Sequence, residues 1–164
     1  MNKAFYLLLT SVLLLSVNTK SNAQDYKWAA GLKFGGYESG ISGKYFMQSN
    51  VALEGIIGFR NKGVAVTGLY EIHMPAFKVD KLKFYYGFGA HLGSVGKRED
   101  LFLNAPLPRR YDAGLLIGAD AVLGLEYVIP RSPIAVSVDL NPRLELARGP
   151  LFDIAPGLGL KYTF

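Results

Sequence analysis

The chain has 164 residues, which is the length of one domain. It is 50% hydrophobic, is rich in Gly, Tyr and Phe, and has no Cys, which excludes disulfides, thiolate metal sites and Cys nucleophiles. The formal net charge of +5 is modest and no Lys/Arg run exceeds two residues, so we expect no nucleic-acid partner.

The first segment has the order of residues that defines a secretory signal. Lys3 precedes an apolar run over residues 4–17, and Ser21-Asn22-Ala23 ends the segment with small residues at the positions that a signal peptidase reads. An N-terminal membrane anchor is the alternative, but the run is shorter than the roughly 20 apolar residues that a spanning helix needs. We therefore predict a signal peptide over 1–23, cleaved after Ala23, and a mature domain over 24–164.

From residue 26 onward, apolar and polar residues alternate with a period of two, which predicts β-strands. Turn residues divide this region into eight segments. In the clearest segment Leu82, Phe84 and Tyr86 alternate with Lys81, Lys83 and Tyr85. The predicted strands are 26–35, 37–47, 51–60, 64–74, 81–93, 114–128, 134–147 and 152–164.

The charged residues test this division. Sixteen Asp, Glu, Lys and Arg residues fall within the eight spans, and all of them lie on the Gly-rich polar face of their strand. Because a slip of one residue exchanges the two faces of a strand, this agreement supports the predicted registers.

The two faces of such a barrel can be arranged in two ways. A soluble lipocalin-like barrel places its apolar residues inside, whereas a membrane barrel places them toward lipid. The apolar faces here are bulky and aromatic, and they run through strands of about 9 to 14 residues, enough to cross a bilayer at a tilt. We therefore predict an all-β, eight-stranded antiparallel up-and-down transmembrane β-barrel.

The connections fit this topology. Short or proline-stiffened turns at 48–50, 75–80 and 129–133 are expected on the periplasmic side. The outer connections are expected at 35–36, 61–63, 94–113 and 148–150. Pro142 and Pro156 fall within strands, where each removes a ladder hydrogen bond, so we predict bulges there or positions above the membrane.

At its end the chain resembles a known family. The stretch from Leu158 to Phe164, Leu-Gly-Leu-Lys-Tyr-Thr-Phe, resembles the terminal strand of Gram-negative outer-membrane proteins, and the mature chain is similar to short barrel domains of the OmpA and OmpX type. The stretches 43–46, 52–58 and 68–71 also resemble members of that group. The resemblance implies an outer-membrane location and a terminal strand, ending at Phe164, that the barrel assembly machinery recognises.

Candidate catalytic groups are few. His73 and His91 are expected on opposite rims, which predicts no metal site. His91 and Ser94 invite comparison with lipid A deacylases, but their spacing of three residues predicts opposite faces. Glu54 and Glu71 are paired carboxylates, for which a salt-bridged plug is the simpler interpretation. We expect neither a catalytic residue nor a cofactor.

The lumen of an eight-stranded barrel is just wide enough for side chains to fill it. The predicted faces also direct Tyr85, Leu69, Phe46, Leu116 and Ile56 inward, so a narrow pore is disfavoured. The sequence therefore predicts a monomeric structural or surface-interaction protein of the outer membrane. An enzyme that modifies outer-membrane lipids is the alternative.

Two groups of charged residues stand out. If residue numbers across the 48–50 turn sum to 98, Lys44 faces Glu54. Across the 61–63 connection, Glu71 then lies opposite Glu54 or within one diagonal step of it. If residue 73 pairs with 81, Lys83 faces Glu71. We predict an ion network in the lumen formed by Lys44, Glu54, Glu71 and Lys83.

The second group lies in the long outer connection. Cations in adjacent pairs suit the geometry of phosphate groups, so contacts with lipopolysaccharide phosphates are predicted there. The residues are Lys97, Arg98, Arg109 and Arg110.

Overall fold

The computed structural model describes residues 26–60, 63–95, 98–100, 109–111, 114–147 and 151–164. The predicted signal peptide lies outside these ranges. No helix within them is long and apolar enough to cross a membrane, which has no bearing on crossing by strands. The strands are β1 (Trp28–Gly35), β2 (Ser39–Gln48), β3 (Val51–Arg60), β4 (Gly63–Pro75), β5 (Leu82–Val95), β6 (Arg98–Asp100), β7 (Arg109–Tyr111), β8 (Gly114–Val128), β9 (Ile134–Glu145) and β10 (Phe152–Thr163).

Eight strands close into one antiparallel barrel in the order β1-β10-β9-β8-β5-β4-β3-β2, as predicted. The first and last strands pair over seven residues, from Ala29 with Thr163 to Gly35 with Gly157. Beyond them, the Phe164 amide donates to the Trp28 carbonyl at 2.8 Å. Closure leaves the sheet without a free edge, so the strands satisfy their own backbone hydrogen bonds.

The strands are strongly staggered. Following cross-strand partners around the barrel from Ala29 leads to Asp153 on β10. If the register between β1 and β10 is extended, Asp153 falls opposite a point ten residues further along the direction of β1 than Ala29. For eight strands, such a stagger corresponds to a tilt of about 40° from the barrel axis. The path runs through Lys44, Glu54, Leu69, Gly89, Asp120 and Arg143 before it reaches Asp153.

The two faces of the wall have opposite polarity. Within the barrel strands, the described charged side chains point into the lumen and are buried, apart from the half-buried Lys83. The outer face is apolar, with Phe88 66% and Leu158 59% exposed. The predicted inversion of polarity is therefore confirmed for the described strands.

Aromatic residues line one end of the outer face on five of the eight barrel strands. We call this the turn end, because both described termini and the turns 48–50, 76–81 and 129–133 lie there; the opposite end is the loop end. Trp28 packs on Tyr45 with ring centroids 4.3 Å apart, and β5, β8 and β10 carry further aromatic residues at this end. The aromatic belt consists of Trp28, Tyr45, Phe84, Tyr86, Tyr127 and Tyr162.

The structure corrects several details of the prediction. The predicted loop over 94–113 contains the hairpin of β6 and β7, and the strand predicted to start at 37 starts at Ser39. Pro142 and Pro156 lie within β9 and β10 without a register shift, so neither forms a bulge. The bulge lies instead between Phe46 and Gln48, beside the 48–50 turn.

Lumen glycines make room for large side chains. A Cβ at Gly124 would lie 2.6 Å from Cζ of Tyr85 and 2.8 Å from Cβ of Asp139, whereas a Cβ at the outward Gly55 would meet nothing within 4 Å. We expect Gly124→Ala to lower the free energy of unfolding by about 1–3 kcal/mol through overpacking.

The matched control is Gly55→Ala, which should lose no stability, because alanine restricts the unfolded chain more than glycine does. Urea unfolding in detergent measures both variants. Equal losses at the two positions would contradict tight packing around Gly124.

Candidate functional site

The lumen near the turn end is organised around one buried lysine. Nζ of Lys44 donates to Oε2 of Glu126 at 3.0 Å and lies 2.8 Å from Glu71 and 3.2 Å from Glu54. It also lies 4.6 Å from the centroid of the Tyr85 ring. One cation therefore contacts carboxylates from three strands, including Glu126 on the opposite wall.

Further side chains contact these carboxylates and hold them in place. Nζ of Lys161 lies 3.0 Å from Glu54 Oε1, in an ion pair without hydrogen-bond geometry, and Ser42 donates to the same oxygen at 2.6 Å. The Tyr26 hydroxyl donates to Glu126 Oε1 at 2.5 Å. We call Lys44, Glu54, Glu71, Glu126 and Lys161 the turn-end cluster.

His73 adds a titratable contact to this cluster. Its Nε2 lies 3.0 Å from Oε2 of Glu71, the oxygen that also faces Lys44. The ring stacks on Tyr85, with centroids 5.0 Å apart, and packs against Phe46 at 4.9 Å. The imidazole is therefore fixed between aromatic walls rather than free to bind a ligand.

An apolar layer lies beside the turn-end cluster, formed by the buried side chains of Ile56, Leu69, Tyr85 and Val122. Asp139 accepts a hydrogen bond from the Tyr85 hydroxyl at 2.6 Å and forms an ion pair with Lys33 at 2.9 Å. Each of these four side chains is at most 4% exposed, so this layer supports a filled lumen.

Nearer the loop end, a second ionic group forms around Arg143. Its Nε donates to Asp120 at 2.6 Å, and its Nη2 reaches Glu38 at 3.3 Å and Thr67 at 3.4 Å. The guanidinium also lies 4.5 Å from the centroid of the Tyr37 ring. The loop-end cluster consists of Glu38, Thr67, His91, Asp120, Arg143 and Glu145.

His91 completes the loop-end cluster between two carboxylates. Its Nδ1 lies 2.8 Å from Asp120 and its Nε2 lies 3.1 Å from Glu145. Only a doubly protonated imidazole donates to both. Ser94 points to the outer face while His91 is buried, so the two do not form a nucleophile–base pair.

No protein-family model matches the sequence, and no curated protein matches it significantly. Among the described residues, no group of three or more His, Cys, Asp or Glu side chains is arranged to hold a metal ion.

The structure brings together three of the four predicted network residues. Lys44 pairs with Glu54 in the predicted register, and Glu71 is one diagonal step from Glu54. The predicted pairing of Glu71 with Lys83 is wrong, because the β4–β5 turn begins later than assumed. Glu71 therefore faces Gly87, and Lys83 faces Pro75 and Glu126 on its two sides.

Lys83 also lies near the turn end, opposite Glu126 of the turn-end cluster. Its Nζ lies 5.2 Å from the centroid of the Phe46 ring. Hairpin reasoning missed Glu126 and Lys161, which belong to strands distant in the barrel order. The sequence signal for both was their position on a polar strand face; the missing information was the stagger that brings the strands together.

The second predicted group falls largely outside the described part. Lys97 lies outside the described residues, and only the backbone positions of Arg98, Arg109 and Arg110 are described. In the β6–β7 hairpin, the register places Asp100 opposite Arg109, Glu99 opposite Arg110 and Tyr111 opposite Arg98.

Proposed function

We propose that this protein is an integral outer-membrane β-barrel with a filled, ion-paired lumen, and that it has a structural or surface-interaction role without catalysis. The observation that carries the proposal is the polarity of the wall. Charged side chains of the described barrel strands face inward, while large apolar side chains cover the outside. An apolar surface this extensive is stable in lipid and would promote aggregation in water.

The dimensions of the outer face fit a bilayer. On β10, apolar side chains point outward from Phe152 to Tyr162. At a rise of about 3.3 Å per residue and a tilt of about 40°, this stretch spans about 25 Å along the barrel axis, the height of the lipid-facing band of membrane barrels. The aromatic belt at the turn end matches the girdle at a membrane interface.

The outer membrane is favoured over other membranes by the sequence expectations. The predicted signal peptide would direct export, and the strand that ends at Phe164 resembles the signal of the barrel assembly machinery. In the structure this strand pairs with β1 and so closes the barrel. A closed barrel also meets the requirement that lipid places on a spanning sheet.

The contents of the lumen favour a structural role. Two ionic clusters and an apolar layer fill the described lumen, and His91 lacks Ser94 as a partner. We further propose that the β6–β7 hairpin contacts lipopolysaccharide phosphates through Lys97, Arg98, Arg109 and Arg110. Membrane lipid and lipopolysaccharide are the proposed partners of a monomeric barrel.

Trp28, the single tryptophan of the chain, tests the location directly. It is 55% exposed on the outer face. After refolding into vesicles, its fluorescence should be blue-shifted and quenched by lipids brominated near the headgroup, because it lies in the belt. The folded protein should also migrate anomalously on gels unless it is boiled.

The control is the same protein unfolded in urea beside the vesicles, whose tryptophan should not be quenched. A folded monomer that is soluble without detergent, with Trp28 unquenched by brominated lipid, would overturn the membrane proposal.

A further inference from the structure

Two neighbouring turns form an unusual surface at the turn end. The turn 76–81 joins β4 to β5 and the turn 129–133 joins β8 to β9, and the Val128 amide donates to the Lys81 carbonyl at 3.1 Å between them. Phe77 is 81% exposed, Val79 48% and Ile129 38%. We call Phe77, Lys78, Val79, Lys81, Ile129 and Arg131 the rim patch.

The backbone of the rim patch is strained. The non-glycine residues with positive φ in the described chain are Phe77 (51°), Lys78 (57°), Lys81 (65°) and Arg131 (61°). Glycine adopts this conformation without strain, and the chain has 19 glycines but none at these turns. The strained backbone positions at 77 and 78 therefore carry side chains that the barrel does not bury.

The rim patch is also cationic on one side of the barrel. Lys78, Lys81 and Arg131 are accompanied by a single acid, Asp80, and within the described residues none of the three cations forms an ion pair. The remaining turn at this end, Gln48-Ser49-Asn50, has neither charge nor a large apolar side chain. Among the three turns at this end, apolar and cationic groups therefore occur together at 76–81 and 129–133 and not at 48–50.

The position of the patch identifies its partner. Phe84, Tyr86 and Tyr127 of the aromatic belt lie on the same strands, a few residues from the turns, which places Phe77 about 10 Å or less beyond the belt. The headgroup layer of a bilayer begins at such a belt and is several ångströms thick, about 5–8 Å per leaflet.

We propose that the rim patch binds the headgroup layer of an anionic phospholipid leaflet, with Phe77 and Val79 inserted among the lipids and the three cations on lipid phosphates. The inference rests on the proposed membrane location and adds a lipid preference confined to one half of the rim. A basic surface bearing an exposed aromatic residue is the usual composition of an interfacial anchor. A periplasmic protein is disfavoured, because the patch continues the lipid-facing surface.

The first test places a reporter in the patch. Phe77→Trp is made in a Trp28→Phe background, with Ser49→Trp in the same background as the matched control on the uncharged turn. In vesicles that contain phosphatidylglycerol, the tryptophan at position 77 should be blue-shifted and quenched by headgroup-proximal brominated lipid. The tryptophan at position 49 should emit as in water and remain unquenched.

The outcomes separate the two proposals. If native Trp28 is quenched but the tryptophan at position 77 behaves like that at position 49, the rim patch proposal fails and the membrane location stands. If Trp28 is also unquenched, both proposals fail.

The second test concerns the charges. Electron paramagnetic resonance of spin-labelled lipids should show a preference of about twofold or more for phosphatidylglycerol over phosphatidylcholine around the native barrel. Lys78→Gln, Lys81→Gln and Arg131→Gln together should reduce this ratio to about one. An unchanged ratio in the folded variant would overturn the proposal; should the variant not fold, the tryptophan pair decides.

Discussion

Replacing Lys44 by methionine is expected to destabilise the barrel by about 3–5 kcal/mol, the cost of breaking a buried ion pair by removing one partner. The Lys44 ammonium contacts Glu54, Glu71 and Glu126 at 2.8–3.2 Å with no exposed side-chain surface. Its removal leaves three buried carboxylates, of which Glu54 keeps an ion pair with Lys161 at 3.0 Å. Denaturant unfolding in detergent micelles measures the loss.

Lys27→Met is the control, because this lysine is exposed and lies outside the barrel strands. Its effect should stay within about 0.5 kcal/mol. In a double-mutant cycle, Lys44→Met and Glu126→Gln should show a coupling above about 0.5 kcal/mol, because the two groups share one hydrogen bond across the lumen. Additive effects, or a Lys44→Met variant as stable as Lys27→Met, would contradict the central role of Lys44.

Strand faces and short-turn registers could be predicted from the sequence alone. The period-two pattern assigns each side chain to lumen or outside, and one slipped residue would bury a row of apolar groups among charges. Across the short 48–50 turn the register follows directly, so Lys44 opposite Glu54 was predictable.

The β4–β5 register could not be predicted, because its turn lacks the usual signal. Residues with positive φ are normally Gly, Asn or Asp, but Phe77, Lys78 and Lys81 occupy those positions here. The pattern gives no reason to place the turn at 76–81, and an earlier turn pairs Glu71 with Lys83. The turn as built shifts the partner of Glu71 by four residues, to Gly87.

Contacts across the lumen required closure as well as registers. Lys44 and Glu126 lie on strands four apart in a barrel of eight, so no hairpin relates them. Their axial levels coincide only after the staggers of all intervening strand pairs accumulate. The contact of Arg143 on β9 with Glu38, which immediately precedes β2, also joins parts of the barrel that are not neighbours, which explains why the loop-end cluster was missed.

The outer wall provides the second large expected effect. Leu140 lies near the middle of β9, points outward and is 51% exposed. Leu140→Arg should lower the free energy of unfolding from phospholipid vesicles by about 2–4 kcal/mol, because it places a charged guanidinium in the hydrocarbon at the bilayer midplane.

Leu146→Arg is the matched control for this change. Leu146 lies one residue beyond the loop-side end of β9 and is 71% exposed, about 15 Å nearer the membrane surface along the barrel axis. There the arginine reaches the headgroups, so the cost should fall to about 0–1 kcal/mol.

A soluble barrel would tolerate arginine equally at both exposed positions, since surface substitutions usually change stability by no more than about 0.5 kcal/mol. The difference between the two leucines therefore measures whether lipid or water surrounds the wall, and equal small losses would contradict the membrane-spanning barrel.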